Sequence, residues 1–188
     1  MKKNQPLKYL SGFGNEFSTE AKKGTLPDKG NTPQRVAHGL YAEQLSGTAF
    51  TVPQKYNQRS WLYRIRPSVL HKSFTAYKQP AWISSPFAAA PANPNQLRWD
   101  PLPIPKKKVD FVDGLMTMAG GGDLNSWAGL GVHVYAVTAS MKDRFFYNAD
   151  GEMLFVPQTG ALTFRTEMGI LHLEPGEIAV IPRGVKFA

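Results

Sequence analysis

The chain has 188 residues, 42% of them hydrophobic, a net charge of +8 and no cysteine. That is enough for one ordinary domain with a packed core, and it excludes disulfides, a zinc finger and a thiol nucleophile. The start, MKKNQPLKYL, lacks the apolar stretch of a secretory signal, and no apolar run approaches the ~20 residues that span a bilayer, so a soluble cytoplasmic protein is expected. The charge is uneven: residues 1–110 carry 17 Lys and Arg against 6 Asp and Glu, whereas residues 111–188 carry 5 against 8. The basic residues are scattered apart from Lys106-Lys107-Lys108, a pattern that suits an anionic substrate or a subunit contact better than a nucleic acid.

In chain order, residues 1–110 read as a loop-rich, basic segment with short strands. The 17 Gly and 15 Pro favour turns over long helices. Residues 24–34 (GTLPDKGNTPQ) and 84–96 (SSPFAAAPANPNQ) read as loops; residues 41–45 (YAEQL) suggest one helical turn. Residues 60–65 (SWLYRI) suggest a strand with Trp61, Tyr63 and Ile65 on one face. Gly120-Gly121-Gly122-Asp123 reads as a flexible turn, since it lacks the Gly-Lys-Ser/Thr ending of a phosphate loop.

Residues 111–188 become regular. Strands are expected at 129–138 (around Val132, Val134 and Ala136), 144–147, 152–156, 161–167, 170–173 and 177–181. Turn signals separate the later ones: Asn148 to Gly151 as a hairpin turn, then Pro157 to Gly160, Met168-Gly169, Pro175-Gly176 and Pro182 to Gly184. Within 161–167, Leu162, Phe164 and Thr166 share a face. Short strands at this spacing predict a mainly β chain, an antiparallel sandwich or barrel.

The spacing of residues 175–187 (PGEIAVIPRGVKF) resembles the second motif of the cupins, a strand pair around a Pro/Gly turn that places a His just beyond the Gly. Residues 133–160 resemble the first motif, His-x-His followed by an acid and a Gly, with Glu152 or Asp150 for the acid and Gly160 for the Gly. The ligands depart from the pattern: Tyr135 stands where the second His belongs, and Val185-Lys186-Phe187 supplies none. A non-haem iron site needs two His and a carboxylate on one rigid face. His38, His71, His133 and His172 show no such spacing, so His133 is expected to line or pack the interior and His172 to face solvent. No catalytic, cofactor-binding or metal-binding residue is assigned. Trp61, Tyr63, Trp99, Phe145, Phe146 and Tyr147 are expected in a core or an interface.

More specific words follow one another along the chain: YLSGFGNEF (9–17), LYAEQLSGTAFT (40–51), RSWLYRI (59–65), NQLRW (95–99), VDFVDGL (109–115) and FYNADGEMLFVPQTGALTF (146–164). These resemble the N-terminal region of the homogentisate 1,2-dioxygenases over nearly the whole chain. The resemblance implies a cupin-like fold and an enzyme that cleaves the ring of homogentisate with O2 and one Fe(II), giving maleylacetoacetate in tyrosine and phenylalanine catabolism. It implies trimers paired into hexamers. It also places the iron ligands and the acid–base residues in a C-terminal cupin domain, so no position here takes them over. On that basis this chain is expected to be a scaffolding, oligomer-forming part, truncated before that domain, with an open edge exposing Val185 and Phe187. Asn15-Glu16 and Glu43-Gln44 are the loop positions that could reach an active site. The alternative from the residues alone is a metal-free cupin that binds a small ligand or acts as an interaction module.

Overall fold

The structure, a computed structural model, describes residues 7, 37–44, 61–87, 94–96, 98–123 and 128–188. The loop at 24–34 and Asn15-Glu16 lie outside them. The described residues are mainly β and pair as four antiparallel two-stranded sheets, the architecture expected of a cupin-like chain. The chain forms two compact units, Met1–Phe74 with Tyr147–Phe187, and Thr75–Phe146 with Ala188.

In the first unit β1 (Tyr41–Gln44) pairs with β2 (Trp61–Arg64). Of the helical turn expected at 41–45, the described residues Tyr41–Gln44 are instead a strand. A single helical turn fixes several dihedrals for one hydrogen bond, whereas pairing with β2 engages the whole segment. The second strand ends at Arg64, which leaves Ile65 beyond it and exposed rather than on a face with Tyr63.

Further along the same unit, β5 (Met153–Phe155) pairs with β8 (Ala179–Ile181). Between them, β6 (Leu162–Thr166) and β7 (Gly169–Leu173) form a hairpin. Its turn is Glu167-Met168. Thr166 Oγ1 accepts from the Met168 amide at 3.0 Å and donates to the Gly169 carbonyl at 2.9 Å. Gly169 sits at φ +132°, where a side chain would be strained. As expected, Phe164 is buried while Leu162 and Thr166 on the same face are half-buried. The Asn148–Gly151 stretch does not close a hairpin. Asn148 Oδ1 accepts from the Asp150 amide at 3.0 Å, so the side chain makes the turn, and β5 takes β8 as its partner.

The core of this unit is aromatic. Phe155 lies 4.7 Å from Phe164 and 5.5 Å from Phe187, ring centre to ring centre, and Phe164 lies 5.7 Å from Phe187. Tilted and edge-on rings at these distances add to what burial alone supplies. Val185, Phe187, Leu173 and Ile181 complete the buried set. The expectation of an exposed edge at Val185 and Phe187 is thus corrected. Phe187 bridges to Thr166 of β6, and the side chains of Val185 and Phe187 both turn inward. Phe187, where the cupin pattern has a His, thus serves the apolar core.

In the second unit, Asp110 caps the short helix α1 (Phe111–Gly114), its carboxylate accepting from the Asp113 amide at 3.4 Å. β3 (Leu115–Asp123) and β4 (Ala128–Tyr135) follow as an antiparallel ribbon with an irregularity between Thr117 and Ala119. The glycines at 120–122 thus belong to a strand rather than a turn. Their lack of a Cβ permits close approach: one built on Gly120 would sit 2.3 Å from the Phe87 ring. Phe111, Val112 and Leu115 are buried, with Tyr135 and Phe146 edge-on to Phe111 at 5.8 and 5.6 Å. Residues 144–147 form no strand, because Phe146 packs between Phe111 and Trp82 while Arg144 turns to Asp110. Trp99 and Phe145 are exposed, outside either core.

Truncating Phe187 to Ala should destabilise the chain by about 3–5 kcal/mol, the usual cost of emptying a buried ring site. Phe187→His, which restores the cupin-type residue, should also destabilise it. Urea unfolding followed by circular dichroism checks both.

Candidate functional site

Two charged clusters and one uncovered surface stand out. The first cluster centres on Arg64 at the end of β2. Its Nε and Nη2 donate to the two carboxylate oxygens of Glu167 at 2.8 Å each, a two-pronged pair. Its Nη1 donates to Glu43 on β1 and, at 2.7 Å, to the Ser68 hydroxyl. Glu43 in turn accepts from the Ser68 hydroxyl at 2.6 Å and from the Ser68 amide. Glu167 also accepts from the Lys186 amide at 3.0 Å, and the Glu167 amide donates to the Lys186 carbonyl at 3.1 Å. The three charged side chains retain only 13, 19 and 24% exposure for Arg64, Glu43 and Glu167.

Burial by itself would raise the pKa of both carboxyls. For Glu43 the Ser68 and Arg64 hydrogen bonds outweigh it, and for Glu167 the Arg64 and Lys186 bonds and charges do, so both are held below the ordinary carboxylate value. The Glu167 hydrogen bonds likewise raise Arg64 against the opposing effect of burial, with help from Glu43.

The second cluster stitches the second unit. Arg144 Nε donates to Asp110 at 2.6 Å, Nη2 to both Asp110 and, at 2.6 Å, Asp113, and Nη1 to the Tyr77 hydroxyl at 3.0 Å. Tyr77 donates to Asp113 at 2.6 Å; this bond, followed by Arg144, lowers the Asp113 pKa. All these groups bond to one another, so the cluster reads as a brace rather than as a binding site.

The histidines are placed separately. His133, half-buried on β4, has Nδ1 3.0 Å from Thr117 Oγ1, and burial lowers its pKa. Tyr135, two residues on, packs edge-on against Phe111, and burial raises its pKa. His172 is on the solvent side of β7, as expected, with Nδ1 3.2 Å from Thr163 Oγ1 and Nε2 3.5 Å from Glu174. His71 stacks on Phe74 at 4.4 Å, and His38 lies in the short turn Ala37–Gly39. Asp150 and Glu152 are exposed, and Gly160 occupies the turn between β5 and β6 with φ +80°. Among the described residues, no three His, Asp or Glu side chains converge as a metal would require. These donors do not fit an Fe(II) site.

The uncovered surface is the outer face of the β5–β8 pair. Leu154 opposes Val180 across the pair, and Val156 and Ile178 flank them. Their exposures are 61, 53, 57 and 65%. Ile178 and Val180 continue into an open groove of about 550 Å³ whose other wall is Leu171, His172 and Leu173 of β7, with Glu177 at its margin. These four large apolar residues form one exposed stripe, larger than the scattered single apolar residues usual on a protein surface. Sequence reading placed these strands but not their exposed face.

Replacing Arg64 by Ala leaves two neighbouring carboxylates without their shared cation and should cost about 3 kcal/mol. Arg64→Lys should recover only part of that, since an ammonium has no planar fork. Because the folded pKa values of Glu43 and Glu167 are lowered, their stabilising contribution is complete above the ordinary value of 4.5 and is lost as pH falls through the folded values. Glu167→Gln should therefore flatten the acid side of the stability profile. Urea midpoints measured across pH test all three variants.

The family model described as homogentisate 1,2-dioxygenase N-terminal matches residues 8–188. That span includes every strand described above, both charged clusters and the exposed β5–β8 face. The chain belongs to the homogentisate 1,2-dioxygenase N-terminal family.

Proposed function

We propose that this chain is the scaffolding, oligomer-forming N-terminal part of a cytoplasmic Fe(II)-dependent dioxygenase that opens the ring of homogentisate with O2 to maleylacetoacetate, in tyrosine and phenylalanine catabolism. The family match over residues 8–188 carries this reading. Two observations support the division of labour: His133 bonds to Thr117 and His71 stacks on Phe74, and among the described residues no three His, Asp or Glu side chains converge. In this reading the two His and the Glu that hold Fe(II) are supplied by the C-terminal cupin domain implied by the family, and Tyr135 and His133 serve packing rather than any chemical step. This chain's contribution is a braced β framework with an apolar face turned outward. Among the described residues no helix is long and apolar enough to cross a membrane.

The test is made on the full enzyme. It should consume O2 with homogentisate, and His133→Ala should leave its iron content within about twofold, because an imidazole that neither ligates the metal nor orients one of its ligands does not set metal affinity. Loss of iron on that substitution would place His133 in the site and refute the assignment. Failure to oxidise homogentisate in a correctly folded, iron-loaded enzyme would refute the substrate.

A further inference from the structure

Two exposed patches of the first unit are complementary. One is the apolar face just described, with Glu177 at the margin of its groove. Residues 152–157 and 171–181, which form it, contain Glu152, Glu174 and Glu177 and no Lys or Arg; Arg165 lies farther along, paired with Ile170. The other is the segment 65–74 (IRPSVLHKSF), which follows β2. Ile65, Val69, Leu70 and Phe74 are each at least 68% exposed there, and the only charges are basic, on Arg66 and Lys72.

This segment is held in shape. Glu43 and Arg64 grip Ser68, the Leu70 amide donates to the Pro67 carbonyl at 3.0 Å, and His71 stacks on Phe74. A preformed projection loses little freedom on docking. Among the described residues nothing covers either patch. An apolar surface with acid at its margin and an apolar projection studded with base, carried by the same chain, satisfy each other when two copies meet. Because the patches differ, the contact is head-to-tail, the kind that closes into a ring when its rotation allows.

We propose that residues 65–74 of one copy dock on the β5–β8 face and its groove in a second copy. This deepens the oligomer-forming role proposed above and rests on it. The Ser68 grip then has a purpose beyond stability: it aims the projection.

These 188 residues have no cysteine, so the two introduced thiols are the only ones in this part of the enzyme, and the tags identify a disulfide between them. Val69→Cys and Ile178→Cys are introduced separately into the full enzyme, and the two variants are co-expressed with different tags. After equilibration in a glutathione redox buffer, the expected result is a disulfide-linked pair carrying both tags, at least about tenfold above either variant alone or the enzyme without them. Ile178→Asp, at an exposed position, should lower the oligomeric state read by light scattering. An oligomer that survives Ile178→Asp and shows no mixed-tag disulfide overturns this contact while leaving the oligomer-forming role intact. A monomeric, active native enzyme overturns both. Equal cross-linking by one variant alone overturns the head-to-tail geometry.

Discussion

Arg64 joins parts of the chain 103 residues apart, and the first unit depends on that junction. One face of its guanidinium fork holds Glu167, in the β6–β7 turn; another donor holds Glu43 on β1. Glu167 carries the restraint onward to Lys186, next to the buried Phe187. The ion pair and the aromatic trio are therefore neighbouring parts of one device. The charges fix the register of the β1–β2 pair against the hairpin, and Phe155, Phe164 and Phe187 supply the burial. A largely desolvated charge is costly to leave unmatched, so alternative registers that separate Arg64 from its carboxylates are disfavoured even where they would bury similar apolar area.

The same device has an outward consequence. Glu43 is shared between Arg64 and Ser68, so the clamp that orders β1 and β2 also shapes the projection at 65–74. The β5–β8 pair shows the reciprocal feature. With one flanking residue each, its strands read Met-Leu-Phe-Val and Ile-Ala-Val-Ile, unbroken apolar runs where a one-sided sheet would alternate. Phe155 and Ile181 use one face for the core; Leu154, Val156, Ile178 and Val180 leave the other facing outward. A strand apolar on both faces is suited to being covered on both.

Much of the β pattern is legible in the sequence because it is local. Two-residue alternation places Phe164 on the right face, apolar neighbours place His172 on the solvent side, and Met168-Gly169 marks the β6–β7 turn. The misreadings come from interactions at a distance. Tyr41–Gln44 has helix-compatible residues and becomes a strand because β2 is there to receive it. Gly120 to Gly122 look like a turn and form a strand because β4 and Phe87 come close. Phe187 looks like an exposed end and is a core ring because Phe155 and Phe164 meet it. The Arg64 cluster has no local signature at all. The β5–β8 surface does have one, in its unbroken apolar runs, and Asp110 before an apolar pair is a readable helix cap.

In the function proposed above this framework sits beside ring-cleaving chemistry, while its own described residues hold shape and present surface. Central to that division is that Arg64 and Glu167 act together rather than as two independent surface charges. A double-mutant cycle with Arg64→Met and Glu167→Gln, read by urea unfolding at neutral pH, tests this most directly. The predicted result is a coupling free energy of about 1–3 kcal/mol, as for contacting charges in one network. Additive effects of the two substitutions, with coupling indistinguishable from zero, would contradict it.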